Sequence, residues 1–158
     1  SYPDKDGIEL GWEVLDALAD DPRIIGIKES SGSLQRAIGI ATRYKDRIQL
    51  VSGSDDIALD FMFWGADAWI CGPANCMAKA VCDLDRTYRS GDLDKARAQM
   101  ATLYTAMNIL ESGKFVQKLK YGCEIQGMPV GECRAPLGPL TDEEKADFRA
   151  AMEPILNW

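Results

Sequence analysis

The sequence predicts an α/β fold: a parallel sheet built from strand-turn-helix units over residues 1–76, followed by an all-helical stretch over 77–158. Short, mainly apolar runs recur at Ile24–Lys28, which is rich in β-branched side chains, Ile48–Val51 and Ala68–Cys71. Each is followed by a polar turn and then by a segment of helical periodicity, and no such run follows Met77. Parallel neighbours need a crossover helix between them, and these units repeat that pattern.

After a turn at Pro3–Gly7, residues 8–19 place Leu10, Val14, Leu15 and Leu18 on one face of a helix that Asp20-Asp21-Pro22 should end. The run Ile24-Ile25-Gly26-Ile27-Lys28 reads as a strand buried on both faces. Ser30–Ser33 breaks it and supplies Ser33 as N-cap of a helix over 34–44. Ile48–Val51 is the second strand, Ser52-Gly53-Ser54-Asp55 its turn, and 57–64 a helix closed by Gly65. Ala68–Cys71 is the third, leading into a Gly-Pro-Ala-Asn turn at 72–75. Helices are predicted over 77–90, 93–112, 115–126 and 141–156, the last opened by the capping box Thr141-Asp-Glu-Glu144, with a loop at 128–139. A closed (β/α)8 barrel takes about 250 residues. The sheet is therefore either small and open or the second part of a larger barrel.

The 158 residues are 46% hydrophobic and carry 18 basic against 25 acidic side chains, a net charge of -7. A chain of this size can bury a core without disulfides or a structural metal. Its acidic balance opposes binding to a phosphate backbone, so no nucleic-acid partner is expected. With no histidine, imidazole chemistry is excluded for this chain acting alone. Cys71, Cys76, Cys82, Cys123 and Cys133 contain no CxxC pair and read as reduced thiols of a cytoplasmic protein, not as a zinc site. The longest uncharged apolar stretch, 61–66, is too short to span a bilayer, and no membrane association is expected.

One residue breaks the local pattern. Lys28 puts an ammonium at the end of an apolar strand, where burial is costly and favours the free amine, a nucleophile toward carbonyls. It equally suits a strand-end lysine whose head group reaches water. The small turn residues at 30–32, 52–55 and 72–75 would let a ligand approach the backbone, and they would serve equally as helix caps. No nucleotide-binding glycine motif is present. The pairs Asp20/Asp21, Asp55/Asp56 and Glu143/Glu144 read as helix-terminal residues.

Taken together, Ile24-Ile-Gly-Ile-Lys28-Glu-Ser-Ser-Gly32, Leu50-Val-Ser-Gly53-Ser-Asp-Asp56 and Gly65-Ala-Asp-Ala-Trp-Ile70-Cys-Gly-Pro-Ala-Asn75 resemble the dihydrodipicolinate synthase / N-acetylneuraminate lyase family. The resemblance covers nearly the whole chain as that family's C-terminal half. It implies the C-terminal portion of a TIM (β/α)8 barrel followed by a C-terminal helical extension, with the final barrel helix and that extension over 77–158. It further implies a homotetramer and class I lyase chemistry, in which a lysine forms a Schiff base with pyruvate or another 2-keto acid and no metal or organic cofactor is needed. Lys28 matches the Schiff-base lysine, Ile70 the residue whose backbone carbonyl lies beside the keto acid, and Gly53 a residue of the pocket loop.

Family members carry a Tyr-Asn-Val-Pro-like segment whose tyrosine moves the substrate's proton. Aligned on Pro3, that tyrosine falls just before Ser1, and Tyr2 takes the following variable position. The family's carboxylate-binding Gly-Thr-Thr-Gly-Glu-like loop falls outside the sequence too, so the chain is expected to be incomplete. Lys5 stands where the synthases proper use an arginine to grip the aldehyde substrate's carboxylate. A lysine lacks the bidentate fork. The resemblance therefore leaves open a synthase-like reaction, a 2-keto-3-deoxy sugar acid aldolase or dehydratase, a pyrroline-carboxylate deaminase of the hydroxyproline pathway, or a non-catalytic truncated chain.

Overall fold

A computed structural model describes residues 1–158, which divide into two compact units, Ser1–Cys71 and Gly72–Trp158. The division falls ahead of the 76/77 boundary expected, because Ala74–Cys76 already belong to the first helix of the second unit.

The first unit runs α1 (Pro3–Asp6), α2 (Trp12–Leu18), β1 (Gly26–Glu29), α3 (Leu34–Arg43), β2 (Gln49–Ser52), α4 (Ala58–Phe63) and β3 (Ala68–Trp69). The three strands are parallel in the order β1-β2-β3, with Lys28 opposite Val51 and Val51 opposite Ala68. On the free edge of β1, Ser1 N donates to the Lys28 carbonyl at 2.7 Å and the Ser1 carbonyl accepts from Ser30 N at 2.9 Å. The chain ahead of Pro3 therefore runs beside the carboxyl end of β1.

Local signals explain most boundaries. The hydroxyl of Ser33 accepts from Arg36 N at 3.1 Å and opens α3, as the sequence predicts. The expected turn at 3–7 is a single helical turn, with Pro3 at its start and Gly7 closing it at φ 69°, where a Cβ would be strained. The helix expected over 8–19 begins only at Trp12, because Gly11 is extended (φ -64°, ψ 168°), and Ile8 is left 69% exposed.

Within these 158 residues the strand at 24–28 is covered on its helix-facing side only. Ile27 and Glu29 face the helices and are buried, Gly26 and Lys28 are half-buried, and Ile25 is 75% exposed. Side chains alternate across a strand, and in this unit helix-facing Ile27 and Leu50 join Leu15, Ile40, Tyr44, Ile48 and Phe61 in the core. The opposite face is the more open one.

The second unit packs α5 (Ala74–Arg89), α6 (Leu93–Glu111), α7 (Phe115–Glu124) and α8 (Asp142–Leu156) around Leu84, Leu103, Met107, Leu110, Phe148 and Met152. Met77 leaves helical geometry (φ -143°), separating the 74–76 turn from the body of α5. Cys76 and Cys123 are buried on α5 and α7, and burial pushes the Cys76 thiol up to about 12. At Gly122 a Cβ would lie 2.9 Å from Cys76 Sγ, so the glycine permits this close approach of the two helices. Cys76, Cys82, Cys123 and Cys133 carry no disulfide, and no helix is long and apolar enough to cross a membrane.

The predicted capping box opens α8: Glu144 N donates to Thr141 Oγ1 at 3.1 Å and Thr141 N to Glu144 Oε2 at 2.7 Å. Lys114 pairs with the same carboxylate at 2.7 Å, and these contacts hold it below its ordinary value of 4.5. Thr141→Ala should lower unfolding free energy by about 1 kcal/mol, read by urea denaturation. Because the folded-state value is depressed, the carboxylate's contribution is present above pH 4.5 and lost as pH falls through the lower folded value. The difference in urea midpoint between wild type and Glu144→Gln should therefore shrink between pH 6 and pH 3.

Candidate active site at the carboxyl ends of the strands

Strand alternation carries Lys28 onto the open face of the sheet, beside Val51 and in line with Ala68. Ile70, two residues beyond Ala68, is on the same face and 57% exposed, and its N–H extends the ladder to the Ser52 carbonyl at 3.0 Å. Lys28 is half-buried within these 158 residues, and its ammonium lies 5.4 Å from the centroid of the Tyr2 ring.

Gly53 closes the other side. A Cβ placed there would lie 2.0 Å from Ser30 Oγ, 2.8 Å from Lys28 Cε and 2.9 Å from the Glu29 carbonyl, so only glycine lets the second turn press against the lysine. Its N–H donates to that carbonyl at 2.9 Å. Gly32 N donates to Ser54 Oγ at 3.2 Å, and Trp69 Nε1 to Asp55 Oδ1 at 2.8 Å. Hydrogen bonds thus join the turns after β1 and β2 to each other and to β3.

Six of the seven buried polar or charged residues, Glu29, Ser30, Arg36, Ser52, Ser54 and Asp55, gather here, and only Lys118 is elsewhere. The Ser30 hydroxyl is buried, 6% exposed, with no hydrogen-bond partner. Burying an unpaired hydroxyl costs about 1–3 kcal/mol, which a ligand able to bond it would recover.

The structure therefore brings Lys28, Gly53 and the Ile70 face together. Lys5 is exposed on α1, joined to the cluster through Tyr2, whose carbonyl accepts the Lys5 N–H at 2.9 Å. Of the carboxylate pairs, Glu144 completes the capping box of α8, whereas Asp20 pairs with Arg47, Asp21 with Arg23 and Asp55 with the Trp69 indole. Sequence reading missed the side-chain partnership of Glu29 with Arg36, in contact at 2.8 Å. Its signal was a carboxylate on the helix-facing side of an apolar strand, followed by an arginine in the first turn of the next helix.

The Dihydrodipicolinate synthetase family model matches residues 1–155. The chain belongs to this family. A 4-hydroxy-tetrahydrodipicolinate synthase of Geobacter sulfurreducens is 35% identical over 155 residues, covering 97% of this chain and 53% of that protein. One from Trichlorobacter lovleyi is 33% identical over 153 residues, with the same coverages. Among solved structures, dihydrodipicolinate synthase from Aquifex aeolicus superposes with TM-score 0.87 at 26% identity, covering 97% of this chain and 53% of that one. The Acinetobacter baumannii enzyme, solved as a complex with pyruvate, superposes with TM-score 0.89 at 25% identity, covering 98% and 53%. The chain spans about half the length of the curated relatives it matches. Its fold is the C-terminal portion of a TIM barrel followed by helices, as the family resemblance implies.

In this family fold the face carrying Lys28 is the barrel interior, and its carboxyl-end rim is where barrel enzymes build their sites. Gly53→Ala should force Lys28, Ser30 or the Glu29 peptide to move. It should cost about 1–3 kcal/mol of stability, measured by urea denaturation.

Proposed function

We propose that this chain carries the nucleophile of a Schiff-base-forming lyase or synthase of the dihydrodipicolinate synthase type, acting on pyruvate or another 2-keto acid. The observation that carries the reading is the geometry around Lys28: a lysine at the carboxyl end of a parallel strand, on the open face, with Gly53 against its Cε and an unpartnered Ser30 hydroxyl beside that glycine. The neutral Lys28 amine adds to the C2 carbonyl, forming a C–N bond. The carbinolamine then loses its oxygen as water, leaving an iminium. This cation is an electron sink, so a proton can leave C3 to give an enamine, which attacks an electrophile or, in reverse, is left when a C–C bond breaks. Pyruvate is the favoured keto acid because the structurally similar A. baumannii enzyme is described in complex with it. Ile70 is proposed to present its backbone carbonyl beside the bound acid, from the carboxyl end of β3, where its N–H continues the ladder to the Ser52 carbonyl.

Borohydride reduction of the full-length protein with pyruvate should add a stable mass to the peptide containing Lys28. Lys28→Arg should abolish the adduct and lower kcat/KM by at least about 10³-fold, the order expected when a nucleophile is removed. Labelling of another lysine would remove Lys28 from the reaction.

Lys5, exposed next to the Tyr2 that meets Lys28, is proposed to face the distal end of the second substrate. Its single ammonium favours an acceptor other than aspartate semialdehyde, whose carboxylate a guanidinium would hold with two bonds. Lys5→Arg should raise kcat/KM for condensation of pyruvate with the semialdehyde more than for a hydroxylated sugar-acid substrate. Equal kcat/KM changes for the two would place Lys5 outside the site. Assembly as a cytoplasmic homotetramer belongs to the same proposal, and light scattering tests its stoichiometry. One structurally similar relative is described as a monomeric variant.

A further inference from the structure

We propose that Glu29 and Arg36 are positioning residues for Lys28, a buried clamp that sets where the lysine's side chain begins and where it ends. This role rests on Lys28 being the nucleophile.

Glu29 has no exposed surface and Arg36 is 7% exposed, with Arg36 Nε 2.8 Å from Glu29 Oε2. Desolvating two charges is expensive, and apolar residues of similar volume often serve stability as well or better. A structural role alone therefore explains this pair poorly.

The geometry points to a specific task. The other oxygen of Glu29 accepts from Ser31 N at 2.7 Å, in the turn that follows the lysine strand. Arg36 is held in turn: its N–H caps on Ser33 Oγ, its guanidinium donates to the Leu10 carbonyl and lies 5.3 Å from the centroid of Trp12, and Glu9 approaches Nε at 3.3 Å. The helix-facing side chain of Glu29 is thus fixed by α3 and by the segment entering α2.

Because residues alternate along a strand, immobilising Glu29 on one face fixes the direction in which Lys28 leaves the other. The carbonyl of Glu29 also accepts the Gly53 N–H at 2.9 Å, and Gly53 is the residue that abuts Lys28 Cε. One residue therefore anchors both the root of the lysine and the wall against its far end. A displacement of about 1 Å at a reacting group is enough to cost orders of magnitude in rate.

The test compares wild type, Glu29→Gln, Arg36→Met and the double variant in the full-length protein, reading the thermal midpoint and the rate at which pyruvate and borohydride modify Lys28. Each single change strands a buried polar partner and should lower the midpoint. The double variant removes both charges and should recover most of the midpoint, while its labelling of Lys28 stays at least about tenfold slower than wild type. Recovery of both midpoint and labelling rate would reduce the pair to a fold element and overturn the proposal. If the double variant does not fold, Glu29→Asp decides. It keeps the charge but shortens the reach, so slowed labelling at a near-native midpoint supports the clamp and unchanged labelling refutes it. Absence of a Lys28 adduct in wild type overturns the Schiff-base reading and this role with it; a wild-type adduct that the variants leave unchanged overturns the clamp alone.

Discussion

The hydrogen bond from Gly53 N to the Glu29 carbonyl holds the second βα turn against the strand that carries Lys28. It depends on the absence of a side chain at Gly53, since any Cβ there would occupy space already taken by Ser30 Oγ and Lys28 Cε. The parallel register that places Lys28 opposite Val51 brings the two turns level, and the Gly32 to Ser54 contact adds a second tie between them. The lysine thus stands among the carboxyl ends of several strands, where barrel enzymes build their sites.

Polar burial follows the same geography. Strand carboxyl ends leave carbonyls and turn N–H groups that the ladder cannot satisfy, and serines and acids supply the missing partners. Glu29 answers Ser31 N and Arg36, Asp55 answers the Trp69 indole, and Ser54 answers Gly32. The Ser1 and Ser30 hydroxyls are exceptions, buried without a partner, and that of Ser30 lies beside Gly53. Under the proposed function, a polar ligand bonding the Ser30 hydroxyl would complete it.

The second unit is organised by apolar packing instead. Its buried polar exception, Lys118, donates to the Ile109 carbonyl and to Ser112 Oγ at the carboxyl end of α6, and burial lowers its ammonium's pKa. That is an end-cap for a helix whose last carbonyls lack intrahelical partners. The predicted capping box of α8 is its counterpart at a helix start.

The sequence by itself determined what local chemistry can encode. Short apolar runs marked the three strands, Ser33 and Thr141 marked helix starts through short-range hydrogen bonds, and the motifs around Lys28, Gly53 and Ile70 identified the family to which the chain belongs. Local pattern failed where the outcome depended on partners distant in sequence. The apolar run at 24–28 could not show which of its faces these 158 residues cover, because burial of a strand is decided by what packs on it. Nor could it show that Glu29 would meet Arg36, that Tyr2 would lie over Lys28, or that Gly53 would be wedged against its Cε. Those contacts exist only once parallel pairing aligns the strand ends, so only the tertiary structure decided what surrounds Lys28.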